Sequence, residues 1–161
     1  MFVSDEEFVQ LKNRYKEYEA CDFPNCDDRM IPVLQKINSL DGVVSVFCCQ
    51  GHYYNPPDPE VAGARTYLLL GITEDGFTSL RKVFDHLKER LNLLGSLEIT
   101  FQKSVWPIGE VIKNFADLMA ARQYSSCNLS YAIPGMSEVM FENYRDSFLN
   151  TLCDCIDYVN Q

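Results

Sequence analysis

The chain is poor in histidine: among 161 residues there are only two, His52 and His86. A nucleophilic triad needs an imidazole beside its nucleophile. His86 falls on a long helical stretch, on the side away from its apolar stripe, and is expected to face solvent, so His52 alone could serve. G-x-S-x-G, the G-x-x-x-x-G-K-[ST] loop and G-x-G-x-x-G are all missing. Their absence removes the nucleophile-elbow, phosphate-loop and dinucleotide-fold readings. No apolar run approaches the ~20 residues that cross a bilayer; the longest, Tyr67 to Ile72, has the length of a core strand. The opening residues Met1 to Glu7 are acidic and lack an apolar h-region, so no secretion signal is expected. Bases are also short, 14 Lys and Arg against 23 Asp and Glu, a formal net charge of −9. That balance argues against general nucleic-acid binding. Residues 76–106 are locally positive and read as a solvated helix face.

Cysteine is plentiful. The seven are Cys21, Cys26, Cys48, Cys49, Cys127, Cys153 and Cys155. An odd number without a secretory route reads as free thiols in a reducing cytoplasm. Apolar residues make up 47% of the chain, enough for a core. No repeat, low-complexity tract or linker divides it, so residues 1–161 are expected to form a single domain.

Local signals place the elements. Ser4 and Glu7 have capping-box spacing, and Phe8, Leu11, Tyr15 and Tyr18 follow at helical steps. Cys21 to Cys26 is a turn. Asp28 is expected to cap the next helix, with Pro32 near its start and Asp41-Gly42 after its end. Val43–Cys49 and Arg65–Ile72 read as strands. Tyr67 to Leu70 is expected to be covered on both faces. Phe77, Leu80, Phe84, Leu87, Leu91 and Leu94 form the surest helical stripe, opened by Thr73 or Asp75 and stopped by Gly95. Ser96–Lys103 alternates with Leu97, Ile99 and Phe101 inward. A helix is predicted from Trp106-Pro107 through Met119, and Ser137 caps a last one. Leu129, Tyr131 and Ile133 alternate, so 124–133 could hide a fourth strand. These elements predict an α+β fold: a small, mostly antiparallel sheet of three or four strands with about five helices packed on it, in one compact domain.

The richest chemistry lies where Val43–Cys49 runs into Cys49-Gln50-Gly51-His52. Gly51 permits positive φ and close approach to the backbone. His52 can act as acid, base or ligand. A strict strand places Ser45 and Phe47 on the face of Cys49, with Val46 and Cys48 opposite. The loop beyond is aromatic and proline-rich. The expected ligand-binding residues are Ser45, Cys49, Gln50, Gly51, His52, Tyr53, Tyr54 and Arg65. In this reading Gln50 hydrogen-bonds a polar edge, His52 meets a polar or anionic group, Tyr53 or Tyr54 stacks on a ring, and Arg65 supplies charge. A metal alternative takes Cys21, Cys26, Cys49 and His52 as a Cys3His zinc set. Cys153 and Cys155 read as core and boundary residues. No catalytic residue is assigned.

Asp27 and Asp28, Ile31-Pro32-Val33-Leu34-Gln35-Lys36-Ile37-Asn38, Val43–Phe47 and Cys49-Gln50-Gly51-His52 together resemble the opening of the wybutosine-synthesis tRNA methyltransferase family. The resemblance covers residues 27–52. Ser45, Cys49, Gly51 and His52 match positions of the family's Ser-Cys-Ser-Gly-Arg-type motif, with Gln50 in place of a serine and His52 in place of the arginine. The resemblance implies a compact α/β fold and use of S-adenosylmethionine. The acidic charge argues against carrying over a tRNA substrate.

The expected function is binding of a small, nucleotide-like molecule by a cytoplasmic protein. Two alternatives stand beside it: an acidic interaction or inhibitor protein that takes a basic protein partner, and a zinc-stapled module. No resident cofactor is required by the first reading. The chain is expected to be a monomer or homodimer with no membrane association.

Overall fold

The computed structural model describes residues 1–53, 65–91, 95–105, 123–133 and 137–161. Helix α1 spans Asp5–Ala20, a short 3-10 turn Asp28–Met30, and α2 Ile31–Ile37. Strands β1 (Val43–Cys49) and β2 (Arg65–Ile72) follow, then α3 (Glu74–Arg90), β3 (Ser96–Val105), β4 (Gln123–Ala132) and α4 (Glu138–Val159). The fold is α+β, with four α-helices among the described residues rather than about five. The helix expected from Trp106 to Met119 lies outside those residues.

The caps act as their residue types dictate. Ser4 Oγ accepts from Glu7 N at 3.3 Å, and Glu7 Oε2 accepts from Ser4 N at 2.9 Å, the reciprocal pair of a capping box. Thr73 and Ser137 accept from the backbone amides of Gly76 and Met140. Asp27, not Asp28, is the N-cap of the 3-10 turn, and its side chain makes no cap hydrogen bond. The turn between α1 and the 3-10 segment is tight. Asp22, Phe23 and Asn25 all take left-handed φ, between 51° and 60°. For phenylalanine that conformation is strained; burial of the Phe23 ring against Tyr15 and Tyr18 offsets it.

The sheet runs β1-β2-β4-β3, every neighbour antiparallel. The strand that the alternation of 124–133 left half-hidden is therefore an interior one. Its polar spelling, Ser125, Ser126 and Ser130, is buried all the same. Cross-strand partners share a face. Thr66, Tyr131 and Leu97 form one row, Leu68, Leu129 and Ile99 the next, and Leu70, Cys127 and Phe101 a third. The helices pack on this face. Tyr131 stacks on Phe148 of α4 with ring centroids 4.7 Å apart, and Phe101 meets Phe77 of α3. Residues on the opposite face are less covered than the sequence suggested: Tyr67 keeps 36% of its surface exposed and Leu69 is half-buried.

Helix α4 lies against α2 and α3. It buries Phe141, Phe148, Leu149, Leu152, Cys155 and Ile156, as its stripe requires. Lys36 and Arg90 pair with Asp157 and Asp154 at its outer edge. His86 does not face open solvent. Its ring meets that of Tyr158 edge-on at 4.4 Å, because α3 and α4 run close enough for their outer flanks to touch.

Candidate functional site

The site begins with an irregularity in β1. Val43, Val44 and Ser45 pair with Ile72, Gly71 and Leu70, whereas Phe47, Cys48 and Cys49 pair with Leu69, Leu68 and Tyr67. Val46 is the extra residue of a bulge, which inverts the alternation downstream of it. Ser45 thus shares the helix-covered face with Cys48, while Phe47 and Cys49 share the other. The expectation that Ser45, Phe47 and Cys49 point the same way is corrected by this one inserted residue. Asn38, at the end of α2, fastens the irregular stretch. Its Nδ2 donates to Ser45 Oγ at 2.6 Å and to Leu34 O at 2.7 Å, and its Oδ1 accepts from Ser45 N at 3.1 Å.

A cavity of about 390 Å³ lies between the bulged stretch of β1, α1 and the 21–27 turn. Leu11, Tyr15, Leu34, Val46 and Phe47 form its apolar walls. Arg14, Tyr18, Asn25, Cys26, Asp27, Ser45 and Cys48 bring polar groups to it. Tyr18 is held by donation of its hydroxyl to Pro24 O at 3.1 Å. Its phenol is pushed up to about 12 by burial, by a hydrogen bond with Cys26 and by the negative potential of Cys26 and Cys48. Burial, then Cys26 and Asp27, push the Cys48 thiol up to about 12 as well.

The remaining predicted residues disperse around the end of β1. Cys49 and His52 come together, and Asp27 joins them: one ligand atom from each lies within 4.8 Å of the other two. Gly51 takes φ of 82°, and its N–H donates to Cys49 Sγ at 3.4 Å. A side chain at Gly51 would sit 3.0 Å from Arg65 O, so only glycine lets the chain pass β2 so closely. The Gln50 carbonyl accepts from the buried Thr66 Oγ1 at 2.7 Å, anchoring the same crossing. The Tyr53 ring packs on Phe141 of α4, centroids 6.0 Å apart, and belongs to the edge of the core. Arg65 pairs with Glu98 across the sheet at 3.7 Å. Tyr54 lies outside the described residues. Cys21 is exposed at the end of α1; neither it nor Cys26 is a member of the Asp27–Cys49–His52 group.

No family model, curated protein or solved structure matches this chain.

Arg14, Tyr18, Asn25 and Asp27 line the cavity without carrying a site role in the sequence reading. In the sequence Tyr18 falls on the α1 stripe, and Asp22, Pro24 and Asn25 mark only a turn, whose thiols alone suggest a site. A signal was present in Asp22-Phe23-Pro24-Asn25: a large apolar ring among turn formers is a turn that folds back onto the core.

The thiols differ sharply in environment, which sets an expected outcome. At pH 8 a thiol with a pKa of about 12 is thiolate in only about one molecule in 10⁴. Cys48 and Cys127 are both at about 12, Cys127 through burial alone, whereas Cys21 is exposed. Iodoacetamide on the folded protein at pH 8 is expected to modify Cys21 at least about a hundredfold faster than Cys48 or Cys127. Peptide mass mapping against time reads this directly, and equal rates would contradict the packing described.

Proposed function

We propose that this protein binds a small, ring-bearing metabolite of about nucleoside size in the cavity between α1 and β1. The observation that carries the reading is the cavity itself. Its volume, about 390 Å³, lies within the range of small-molecule sites, and it joins apolar walls to a few converging polar groups. Tyr15, Tyr18 and Phe47 offer ring faces, Ser45 and Asn25 offer hydrogen bonds, and Arg14 brings positive charge in an otherwise acidic chain. The pocket is built on fixed elements: Ser45 is held by Asn38, and Tyr18 by Pro24. Such fixing lowers the ordering cost of binding. The resemblance of residues 27–52 to S-adenosylmethionine-dependent enzymes makes that molecule one natural member of the class.

The test is a thermal-shift series with adenosine, AMP, GMP and S-adenosylmethionine, followed by calorimetry on any that respond. A ligand at a hundred times its Kd should raise Tm by about 5–10 °C for a chain of this size. Arg14→Ala and Asn25→Gly remove polar lining without disturbing the left-handed backbone at 25, and each is expected to reduce the shift by half or more. No response to any of the four, or a response that both variants leave unchanged, would remove the proposal.

A further inference from the structure

Asp27 is distant in sequence from Cys49 and His52, and the three residues come from different pieces of local structure. Asp27 precedes the 3-10 turn, Cys49 ends the edge strand β1, and His52 follows the Gly51 turn. Their donor atoms nonetheless converge within 4.8 Å. We propose that they form a binding site for a divalent transition metal, zinc foremost, at the rim of the α1–β1 cavity. The site does not depend on any ligand in that cavity, although Asp27 borders both.

Three observations support the assignment. First, the donor set is one sulfur, one nitrogen and one oxygen, the three donor types that zinc takes from proteins. Around a tetrahedral ion such donors stand about 3.3–3.8 Å from one another, so closure requires shifts of only about 1 Å. Second, the Cys49 sulfur is held in position beside His52. The Gly51 N–H donates to Cys49 Sγ at 3.4 Å, which fixes the direction in which the sulfur points. The left-handed turn at Gly51 both aims that amide and carries His52 back toward Cys49. Third, the carboxylate of Asp27 makes no cap hydrogen bond although Asp27 occupies the cap position, where Asp commonly does so.

The proposed set replaces the Cys3His set read from the sequence. It keeps Cys49 and His52, gains Asp27, and leaves out Cys21 and Cys26. Three protein donors leave one tetrahedral position for water or another small ligand, the pattern of an open site rather than a closed structural one. His52 is exposed and Asp27 and Cys49 are partly so, which gives an ion a path in and lets the fold stand without it.

The experiment is a titration of metal-stripped, reduced protein with Co²⁺ and then Zn²⁺. A thiolate-to-cobalt charge-transfer band saturating at one equivalent and bleached by Zn²⁺ is expected. Cys49→Ser should abolish the band. His52→Ala and Asp27→Asn should each weaken Zn²⁺ binding at least about tenfold. Cys21→Ser and Cys26→Ser should bind as the parent does. Circular dichroism should be the same for all five variants, since none of the residues is buried in the core. Absence of a band, its survival in Cys49→Ser, unchanged affinity in His52→Ala, or its loss in Cys21→Ser would each overturn the proposal.

Discussion

Replacing Gly76 by alanine is expected to destabilise the protein by about 3 kcal/mol or more and to lower its urea midpoint by about 1–2 M. Gly76 lies in the first turn of α3, directly against Gly42, the glycine between α2 and β1. A Cβ on Gly76 would sit 2.1 Å from Gly42 O and 2.4 Å from Gly42 C. The partner cannot easily yield. Gly42 has φ of 69°, its carbonyl accepts from Thr73 N at 2.9 Å, and its own Cβ would strike Thr73 Oγ1 at 2.3 Å. Helix α3 cannot retreat either, because Leu80, Val83 and Leu87 are buried behind it. Alanine is the better helix former by about 1 kcal/mol. If propensity governed this position the substitution would stabilise. Backbone overlap of an ångström is the larger effect, so the expected sign is destabilising, and urea denaturation of the two proteins decides between them.

Asn38→Leu carries the second large effect, expected at about 2–4 kcal/mol. The side chain is 8% exposed and joins the end of α2 to the bulge of β1 through both its amide groups. Leucine leaves Ser45 N and Leu34 O without those partners in a mostly buried setting, which costs more than the net worth of the bonds. Ser45→Ala removes only the hydroxyl and should cost about 1 kcal/mol. A double-mutant cycle should give a coupling of at least about 0.5 kcal/mol between the two positions. Equal losses for the two single variants, or no coupling, would show that Asn38 does not hold the bulge. Because Ser45 also lines the cavity, folded Asn38→Leu protein is expected to bind any cavity ligand more weakly than Ser45→Ala does.

Much of the framework was legible in the chain. The bounds of β1 and β2 match the predicted Val43–Cys49 and Arg65–Ile72 residue for residue. The Ser4 and Ser137 caps stand where spacing placed them, and Thr73, one of the two residues the sequence offered, caps α3. β4 was harder to see, because its serines look like a loop until strands on either side cover them. The candidate site was legible only in part. Cys49 and His52 lie three residues apart and their proximity is a local matter. Tyr53 and Arg65 look available in the sequence, but the fold gives their side chains to Phe141 and Glu98.

Periodicity, capping residues and turn formers are interactions over one to four residues. They determined from the chain alone that it is α+β, where its first and last helices begin, and that Asp41-Gly42 turns into a strand. Pairing across the sheet is not local, and it decided the rest. The single extra residue at Val46 reverses which side chains share a face, and nothing in Val-Ser-Val-Phe distinguishes a bulged strand from a regular one. The meeting of Gly42 with Gly76, and of Asp27 with Cys49 and His52, likewise depends on segments brought together only when β1 pairs with β2 and the 21–27 turn folds over its edge.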